Sequence, residues 1–492
     1  VAKKLGVLNA VLYALQAEDM HHENVAIQGD RVAAIDCECV PHTIRPIDFE
    51  SIPAENPAAV LLAKGAHSLG IVPQAIVGNK EGSSTTADIS VFGYEPGTTV
   101  GLKVPKLELS DAGQVSITMD DAVFSDPDPV KNRKELLTQV SAFINSFESA
   151  LRLIVSKKQK LIELLQERST KARLIARPTM IYAKVLTESY HPTFLRSGIL
   201  RDICLAKLLP HYYDKPYRTW LIAQEIRSLR DGYIPYLTIG ILSGTLRMCN
   251  SEHSLDTIPR QELSSHIMNL DERSVGMQRY LLELAFASRT NRGTCRPVCC
   301  QYEQDDDVYA MRLMAANVLG SWVLEHSFIR KGMIGLPIMN AVTPDQWIIG
   351  SSGLDLYNGL FGLQLMIEQL YDACPTTSLA SSRNIIRNTV DEFSSLISIS
   401  PDSVKKNLDS LNVGAFDQIA GITLSMLFID QKDNTIRFRD RLSTALQLLE
   451  IMTAEDANYD VISGSAGALI VGDLASSVIP DKANGLMNTA VD

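Results

Sequence analysis

The sequence predicts an α+β protein in two parts: a mixed first part, then a second part built as a helical array or an α/α toroid. Three observations predict it. Leu5, Leu8, Leu12 and Leu15 recur at helical spacing ahead of Gly29-Asp30, a two-residue hairpin signal between short apolar runs. Residues 83 to 128 alternate apolar and polar positions, such as Ile89 with Val91 and Val115 with Ile117, between Gly and Pro punctuation. After residue 308, amphipathic segments joined by Gly-containing loops recur at roughly 40 to 60 residues, with few strand signals.

In chain order, residues 3 to 17 read as an amphipathic helix and Glu18 to Asn24 as a polar loop. The runs Val25 to Gln28 and Arg31 to Ile35 form the hairpin. A small β-rich insert follows over 83 to 128. The stretch from Asn132 to about Arg168 carries little Gly or Pro, and Leu136, Val140, Phe143 and Phe147 keep helical spacing, which predicts one long helix. Residues 180 to 290 read as mostly helical, with loops at Pro192, Pro210, Pro216 and Pro235. The acidic run Asp305-Asp306-Asp307 marks a boundary, giving parts 1–308 and 309–492. Helices are expected around 311 to 329, 355 to 373, 415 to 430 and 440 to 470.

Bulk properties narrow the function. The chain has 492 residues, enough for about two to four domains. A net charge of -11 argues against a nucleic-acid backbone as the main partner. No apolar run is long enough to cross a bilayer and no signal segment opens the chain, so a soluble intracellular protein without an integral membrane segment is expected. Eight cysteines spread over this length form no disulfide framework, which fits a reducing compartment. The chain opens on Val1 with helical pattern at once, and reads as starting inside a domain.

The chemistry concentrates in Asp19-Met20-His21-His22-Glu23-Asn24, the hairpin, and Asp36-Cys37-Glu38. Phosphoryl transfer needs a carboxylate to orient or deprotonate the acceptor hydroxyl and oxygen ligands for the magnesium that neutralises the triphosphate. In protein kinases a catalytic Asp precedes a metal-binding Asn by about five positions, and a metal-binding Asp arrives on the next hairpin. Asp19 and Asn24 have this spacing. The turn at Gly29-Asp30 is expected to return Asp36 beside Asn24, with Asp36 and Glu38 on one strand face. A solvated polar loop followed by an ordinary hairpin is the bland alternative.

These residues, with Lys4-Leu5-Gly6 ahead of them, resemble the dehydratase domain of class II lanthipeptide synthetases, the LanM family of type 2 lantibiotic biosynthesis proteins. Arg173-Leu174-Ile175-Ala176-Arg177-Pro178-Thr179-Met180-Ile181-Tyr182, then His191-Pro192 and Ile234-Pro235-Tyr236, resemble later signatures of that domain. The resemblance implies a kinase-like, more closely lipid-kinase-like, dehydratase C-lobe with helical additions. It implies ATP and Mg2+ as cofactors, phosphorylation of Ser or Thr in a precursor peptide of leader plus core, and elimination of the phosphate to dehydroamino acids. Asp19, His21, Asn24, Asp36 and Glu38 would serve phosphorylation, with Asn24 and Asp36 on the metal. Arg173 and Thr179 would serve elimination, where an arginine fork suits a departing phosphate. An export transporter is a further partner the family implies.

Past residue 308, Trp347-Ile348-Ile349-Gly350, Leu356-Tyr357-Asn358-Gly359-Leu360-Phe361-Gly362 and Gly464-Ser465-Ala466-Gly467 resemble the family's cyclase, an α/α toroid whose glycines close helix-to-helix turns. That cyclase needs zinc held by thiolates and an imidazole. From residue 310 onward there are one cysteine, Cys374, and one histidine, His326, so no zinc site and no cyclisation are expected of this chain. Zn2+ and thioether formation belong to the full-length family enzyme. Cys295, Cys299 and Cys300, with His253 and His266, lack paired Cys-x-x-Cys spacing and read as reduced thiols in a loop. Further departures are an absent N-terminal lobe, for whose phosphate-binding lysine Lys3 and Lys4 lie too close to the first helix to substitute, Cys37 and Cys39 near the acidic pair, and Tyr233 before Ile-Pro. Two other readings stand beside this one: a kinase-like phosphotransferase on another hydroxyl substrate, which the Arg173 to Thr179 block disfavours, and a non-catalytic helical peptide-binding scaffold.

Overall fold

The computed structural model describes residues 1–38, 40–41, 57–80, 83–95, 99–109, 115–123, 133–167, 171–177, 179–211, 216–241, 243–254, 259–290, 308–330, 332–343, 346–353, 355–357, 359–399, 413–416 and 418–491. It is helix-rich with several small sheets. Two compact units divide the chain: Val1–Ile52 with Lys64–Arg292 and Asn340–Ile348, and Pro53–Ala63 with Gly293–Met339 and Ile349–Asp492.

The first unit opens with α1 (Ala2–Ala14) and the hairpin β1 (Val25–Gln28) and β2 (Arg31–Ala34). Helix α2 (Pro57–Ala63) groups with the second unit. Two further hairpins follow, β3 (Ala75–Lys80) with β4 (Ser83–Asp88) and β5 (Thr99–Leu109) with β6 (Val115–Val123), so the β-rich insert begins earlier than expected. Then come α3 (Arg133–Leu137), α4 (Val140–Ser156), α5 (Lys158–Glu167), β7 (Lys171–Leu174), α6 (Thr179–Ser189), α7 (Pro192–Leu195), α8 (Gly198–Leu205), α9 (Pro216–Arg230), β8 (Leu237–Gly240), β9 (Thr245–Met248), β10 (Ser251–Ser254), α10 (Pro259–Asn269) and α11 (Glu272–Thr290).

Helix α1 buries Leu5, Asn9 and Leu12, while Leu8 is half-buried. Its Gly6 lies against α4 so closely that a Cβ there would sit 2.3 Å from the Phe143 carbonyl oxygen. Beneath this contact Phe92, Phe143 and Phe286 meet edge to face at centroid distances of 4.9 to 5.6 Å, tying α4 and α11 to the turn after β4. The contact energy comes mainly from apolar burial, with the edge-on geometry adding a smaller increment.

The single long helix expected over Asn132 to Arg168 is instead three helices. Thr138 breaks the first by bonding back to the Glu135 carbonyl through both its N–H and its hydroxyl, at 3.1 and 2.7 Å. The second stops at Lys157, with φ -120 and ψ 15. That bend lets Ile162 of α5 pack on Leu263 and Ile267 of α10. Neither break uses Gly or Pro, which is why the sequence pattern ran through them.

Pro192 and Pro216 open helices rather than forming loops, since a first-turn residue needs no N–H partner. The sequence also hid a four-stranded antiparallel sheet of order β10-β9-β8-β7. The β9–β10 turn is Cys249-Asn250, both at positive φ (51 and 60), without the glycine that flags such hairpins.

The second unit carries α12 (Val308–Glu325), β11 (Phe328–Arg330), β12 (Met333–Gly335), α13 (Leu360–Ala373) and α14 (Thr377–Ile399). Strands β13 (Pro337–Thr343) and β14 (Gln346–Ser351) lie between β12 and α13 in sequence, so strands are commoner after residue 308 than expected. The chain closes with helices Gln418–Asp433, Arg439–Thr453, Ser465–Ala475 and Pro480–Val491, so 440 to 470 is not one helix. Phe361, Val390, Met426, Leu442, Leu449, Val471 and Leu486 share one core. In the same unit Glu368 is fully buried and meets Arg383 at 2.7 Å, Lys432 at 2.8 Å and Arg387. Burial alone would raise its carboxyl pKa; these three cations outweigh burial and lower it. Gly359 and Gly464 cap the N-terminal ends of α13 and Ser465–Ala475, where the sequence reading had glycines closing turns. Close approach explains Gly467, whose Cβ would lie 2.2 Å from the Ala415 backbone nitrogen.

Candidate active site

The loop after α1 is held from beneath. The Met20 N–H donates to the Leu69 carbonyl at 2.8 Å and the His22 N–H to the Ile89 carbonyl at 3.0 Å. Gly70 (φ +97) packs against this backbone: a Cβ there would lie 2.8 Å from the His21 nitrogen. Met20 and His22 point inward and are buried, while Asp19 and Glu23 face solvent. Asp19 sits at φ +64, a left-handed conformation that costs a non-glycine residue about 1 kcal/mol or more. The Asn24 side chain supports it, donating from Nδ2 to the Asp19 carbonyl at 2.7 Å.

His21 lies between two carboxylates, 3.5 Å from Asp19 Oδ1 through Nε2 and 3.7 Å from Glu23 Oε2 through Nδ1. The Glu23 N–H donates to His21 Nδ1 at 3.2 Å. In the neutral ring this leaves the proton on Nε2, facing Asp19.

The hairpin returns the chain as its turn residues dictate. Gly29 takes φ +61, the register runs from Val25 opposite Ala34 to Gln28 opposite Arg31, and the Ile35 N–H donates to the Asn24 carbonyl at 3.0 Å. Asp36 is the next residue. At the hairpin tip Lys4 pairs with Asp30 at 2.8 Å, and its hydrogen bond holds the exposed Asp30 carboxyl below the usual range. Asp36 and Glu38 do not share a strand face: β2 ends at Ala34, and the two residues form a turn in which Asp36 Oδ1 accepts from the Glu38 N–H at 3.1 Å. A short polar side chain that can bond the backbone two residues on favours such a turn over strand continuation.

The Arg173 block meets this turn. The Arg173 N–H donates to the Glu38 carbonyl at 3.2 Å, and its guanidinium pairs with the Glu38 carboxylate. The Tyr236 ring lies 5.3 Å from the same guanidinium. Residues separated by more than 130 positions are thus gathered because β7 pairs with β8, Leu174 opposite Leu237, and carries Arg173 at that edge of the sheet. Arg177 behaves differently. It is buried and grips the fully buried Glu225 at 3.1 to 3.3 Å, donates to the Leu208 carbonyl at 2.9 Å, and shares Glu225 with the Tyr182 hydroxyl. Thr179 opens α6 with its side chain exposed, and among the described residues no hydrogen bond joins it to the other candidates.

The structure therefore joins Asp19, His21 and Asn24 in one set of short contacts and Asp36, Glu38 and Arg173 in another, with the Ile35 N–H to Asn24 carbonyl bond between them, and Thr179 is in neither. Leu69, Gly70, Ile89 and Tyr94, which hold the loop in place, carry no signal in the sequence because they lie about 50 to 70 residues from it and act largely through backbone. Nδ2 of Asn24 is committed to the Asp19 carbonyl, so its amide oxygen and the Asp36 carboxylate are hard oxygen donors of the kind that Mg2+ takes. Among the described residues no three His, Cys, Asp or Glu side chains cluster as metal ligands. A magnesium ion sharing its shell with nucleotide phosphates and water does not require such a cluster.

Zinc is a different case. Cys374 is buried in an apolar core with Ala316 and Leu379, and His326 stacks on Trp322 at 4.7 Å and bonds its carbonyl, so these residues do not fit a zinc site. Cys39, Cys295, Cys299, Cys300 and Asp305 to Asp307 lie outside the described residues. His253 stacks on Trp220 at 5.5 Å and His266 meets the edge of Tyr13 at 5.3 Å. No described helix is long and apolar enough to cross a membrane.

Comparison with known proteins agrees with the motifs. A family model described as a domain of unknown function (DUF4135) matches residues 2–240, and one described as lanthionine synthetase C-like protein matches residues 350–489. The lacticin 481/lactococcin biosynthesis protein LcnDR2 of Lactococcus lactis subsp. lactis is 21% identical over 485 residues, covering 95% of this chain and 50% of that protein. The chain thus spans about half the length of the curated relative it matches. Both domain matches in one order on one chain, with that relative aligned across nearly all of it, support a class II lanthipeptide synthetase (LanM).

Proposed function

We propose that residues 1–308 form the catalytic C-lobe of a kinase-like dehydratase and that residues 309–492 form part of a cyclase toroid, together acting in lanthipeptide biosynthesis in the bacterial cytoplasm. The substrate is a precursor peptide of leader plus core, and a dedicated export transporter takes the product. The observation that carries this reading is the meeting of Arg173 with Glu38 one turn from Asp36, which puts groups suited to adding a phosphate and groups suited to removing it in one place.

ATP would supply the phosphoryl group, and Asn24 and Asp36 would hold the Mg2+ that neutralises charge on its phosphates. Asp19 orients the Ser or Thr hydroxyl and accepts its proton as the new O–P bond forms. His21, held between Asp19 and Glu23, fixes the Asp19 carboxylate through Nε2–H. In the second step the substrate loses its α-proton and the C–O bond to phosphate breaks, leaving a carbon–carbon double bond. Arg173 holds the departing phosphate, exchanging the Glu38 carboxylate for phosphate oxygens. Glu38, freed when that cation moves, is the base that takes the α-proton, and the C–O bonding pair leaves with the phosphate. Thr179 serves this step if the peptide closes the space between it and Arg173. Thioether formation on zinc belongs to the full-length protein, and no step is assigned to residues 309–492 alone.

The test is the full-length protein with its precursor peptide and ATP, read by mass spectrometry. Asp19→Asn should leave the peptide unmodified, and Arg173→Ala should let phosphopeptide accumulate. Dehydrated product from either variant at the wild-type rate would overturn the assignment. Phosphopeptide as the end product of the wild type would favour a plain phosphotransferase instead.

A further inference from the structure

Two adjacent histidines follow Asp19, and the structure gives them opposite directions. His21 is open to Asp19 and Glu23, whereas His22 is 4% exposed. The His22 ring stacks on Tyr94 at a centroid distance of 3.6 Å and an interplanar angle of 13°, and Tyr94 is fully buried. One carbonyl, that of Ile89, accepts from both the His22 main chain at 3.0 Å and His22 Nδ1 at 2.8 Å. That contact makes Nδ1 the protonated nitrogen and leaves Nε2 an acceptor, which is buried with no hydrogen-bond partner among the described residues.

The receiving segment is itself held by hydrogen bonds and an ion pair. Asp88, buried, accepts from the Gln74 N–H at 3.1 Å and the Ser90 N–H at 2.8 Å, and pairs with Arg289 at 2.8 Å. The Tyr94 N–H in turn donates to the Ser90 carbonyl at 3.0 Å. Asp88 thus fixes the turn that presents both the Ile89 carbonyl and the Tyr94 ring. His22 is the side chain through which this turn reaches the strained Asp19 loop.

We infer that His22 is a positioning residue for phosphoryl transfer: its Nδ1–H bond to the Ile89 carbonyl and its stack on Tyr94 set the loop so that Asp19 and His21 meet the acceptor hydroxyl. The inference rests on the proposed dehydratase reading. A loop displaced by about 1 Å loses on the order of a hundredfold in rate, because alignment of the reacting atoms supplies much of the acceleration.

The experiment uses the full-length protein in two separate assays, phosphorylation of the precursor peptide and elimination from a synthetic phosphopeptide. His22→Phe keeps a ring for the stack but removes the donor; it should lower kcat for phosphorylation about ten- to a hundredfold with KM for ATP within about twofold. Elimination should stay within about twofold of wild type. His22→Asn, which places an N–H near the Nδ1 position, should recover at least about a tenth of the wild-type phosphorylation rate. In the wild type, 15N-labelled histidine should show His22 as the Nδ1–H tautomer, a measurement independent of whether a variant folds. Wild-type phosphorylation by His22→Phe, equal loss in both assays, or an Nε2–H tautomer would each overturn the inference. Full phosphorylation by an Asp19→Asn control would instead sink the dehydratase reading on which it stands.

Discussion

Arg173 meets Glu38 twice, donating its main-chain N–H to the Glu38 carbonyl at 3.2 Å while its guanidinium closes on the Glu38 carboxylate. The backbone contact extends the sheet edge by one bond, so the ion pair is an outcome of strand geometry rather than of two long side chains finding one another in solvent.

A double-mutant cycle should detect that pairing. Glu38→Gln and Arg173→Lys are each expected to lower stability by less than about 1 kcal/mol, because both side chains keep some solvent contact. Residues in direct contact couple, so the cycle should return an interaction of about 0.5 kcal/mol or more in chemical denaturation. Strict additivity would mean that the pair is not formed.

The second arginine of the same segment predicts the opposite balance. Arg177→Ala leaves Glu225, which is fully buried, without its cation, and removal of one member of a buried pair costs about 3 to 5 kcal/mol. Denaturant midpoints should show this loss. Arg173→Ala should be nearly silent in that measurement while changing the fate of the phosphopeptide.

Gly6→Ala separates propensity from packing. Helix propensity alone predicts a gain of about 1 kcal/mol at a mid-helix glycine. The Cβ would lie 2.3 Å from the Phe143 carbonyl oxygen and 2.5 Å from Ser146 Oγ, so the helices must part, at a cost of about 1 to 3 kcal/mol. A lower melting temperature is expected, and a higher one would show that α1 and α4 are not in this contact.

His67 gives a pH dependence. It is buried, and desolvation pushes its pKa down from 6.5 to about 4. The folded state therefore holds the ring neutral, so its contribution is fully present above pH 6.5 and declines as pH falls from about 6.5 to about 4. The slope corresponds to a loss of at most about 3 kcal/mol across that window. His67→Asn should flatten this part of the stability profile relative to wild type, and parallel profiles would refute the assignment.

The sequence by itself determined the local pieces. Gly29-Asp30 dictated a hairpin because glycine reaches φ +61 without strain, and the five-residue spacing of Asp19 and Asn24 put a carboxylate and an amide on one loop. Leucines at helical spacing marked α1, and Arg173 and Glu38 stood out through the motifs they share with the dehydratase family. What lay beyond reach was set by distant partners. The break at Thr138, the Cys249-Asn250 turn, the turn at Asp36 and the Glu368 cluster leave no Gly, Pro or periodic mark.

Only the tertiary structure decided which of two like residues does what. Arg173 and Arg177 share a segment, and His21 and His22 are neighbours, yet one of each pair is buried against a fixed acceptor and the other is left to the site. Burial and hydrogen-bond supply are properties of where a side chain lands. They follow from Glu225 and Ile89, which lie 48 and 67 residues away in the chain and are adjacent only once it has folded.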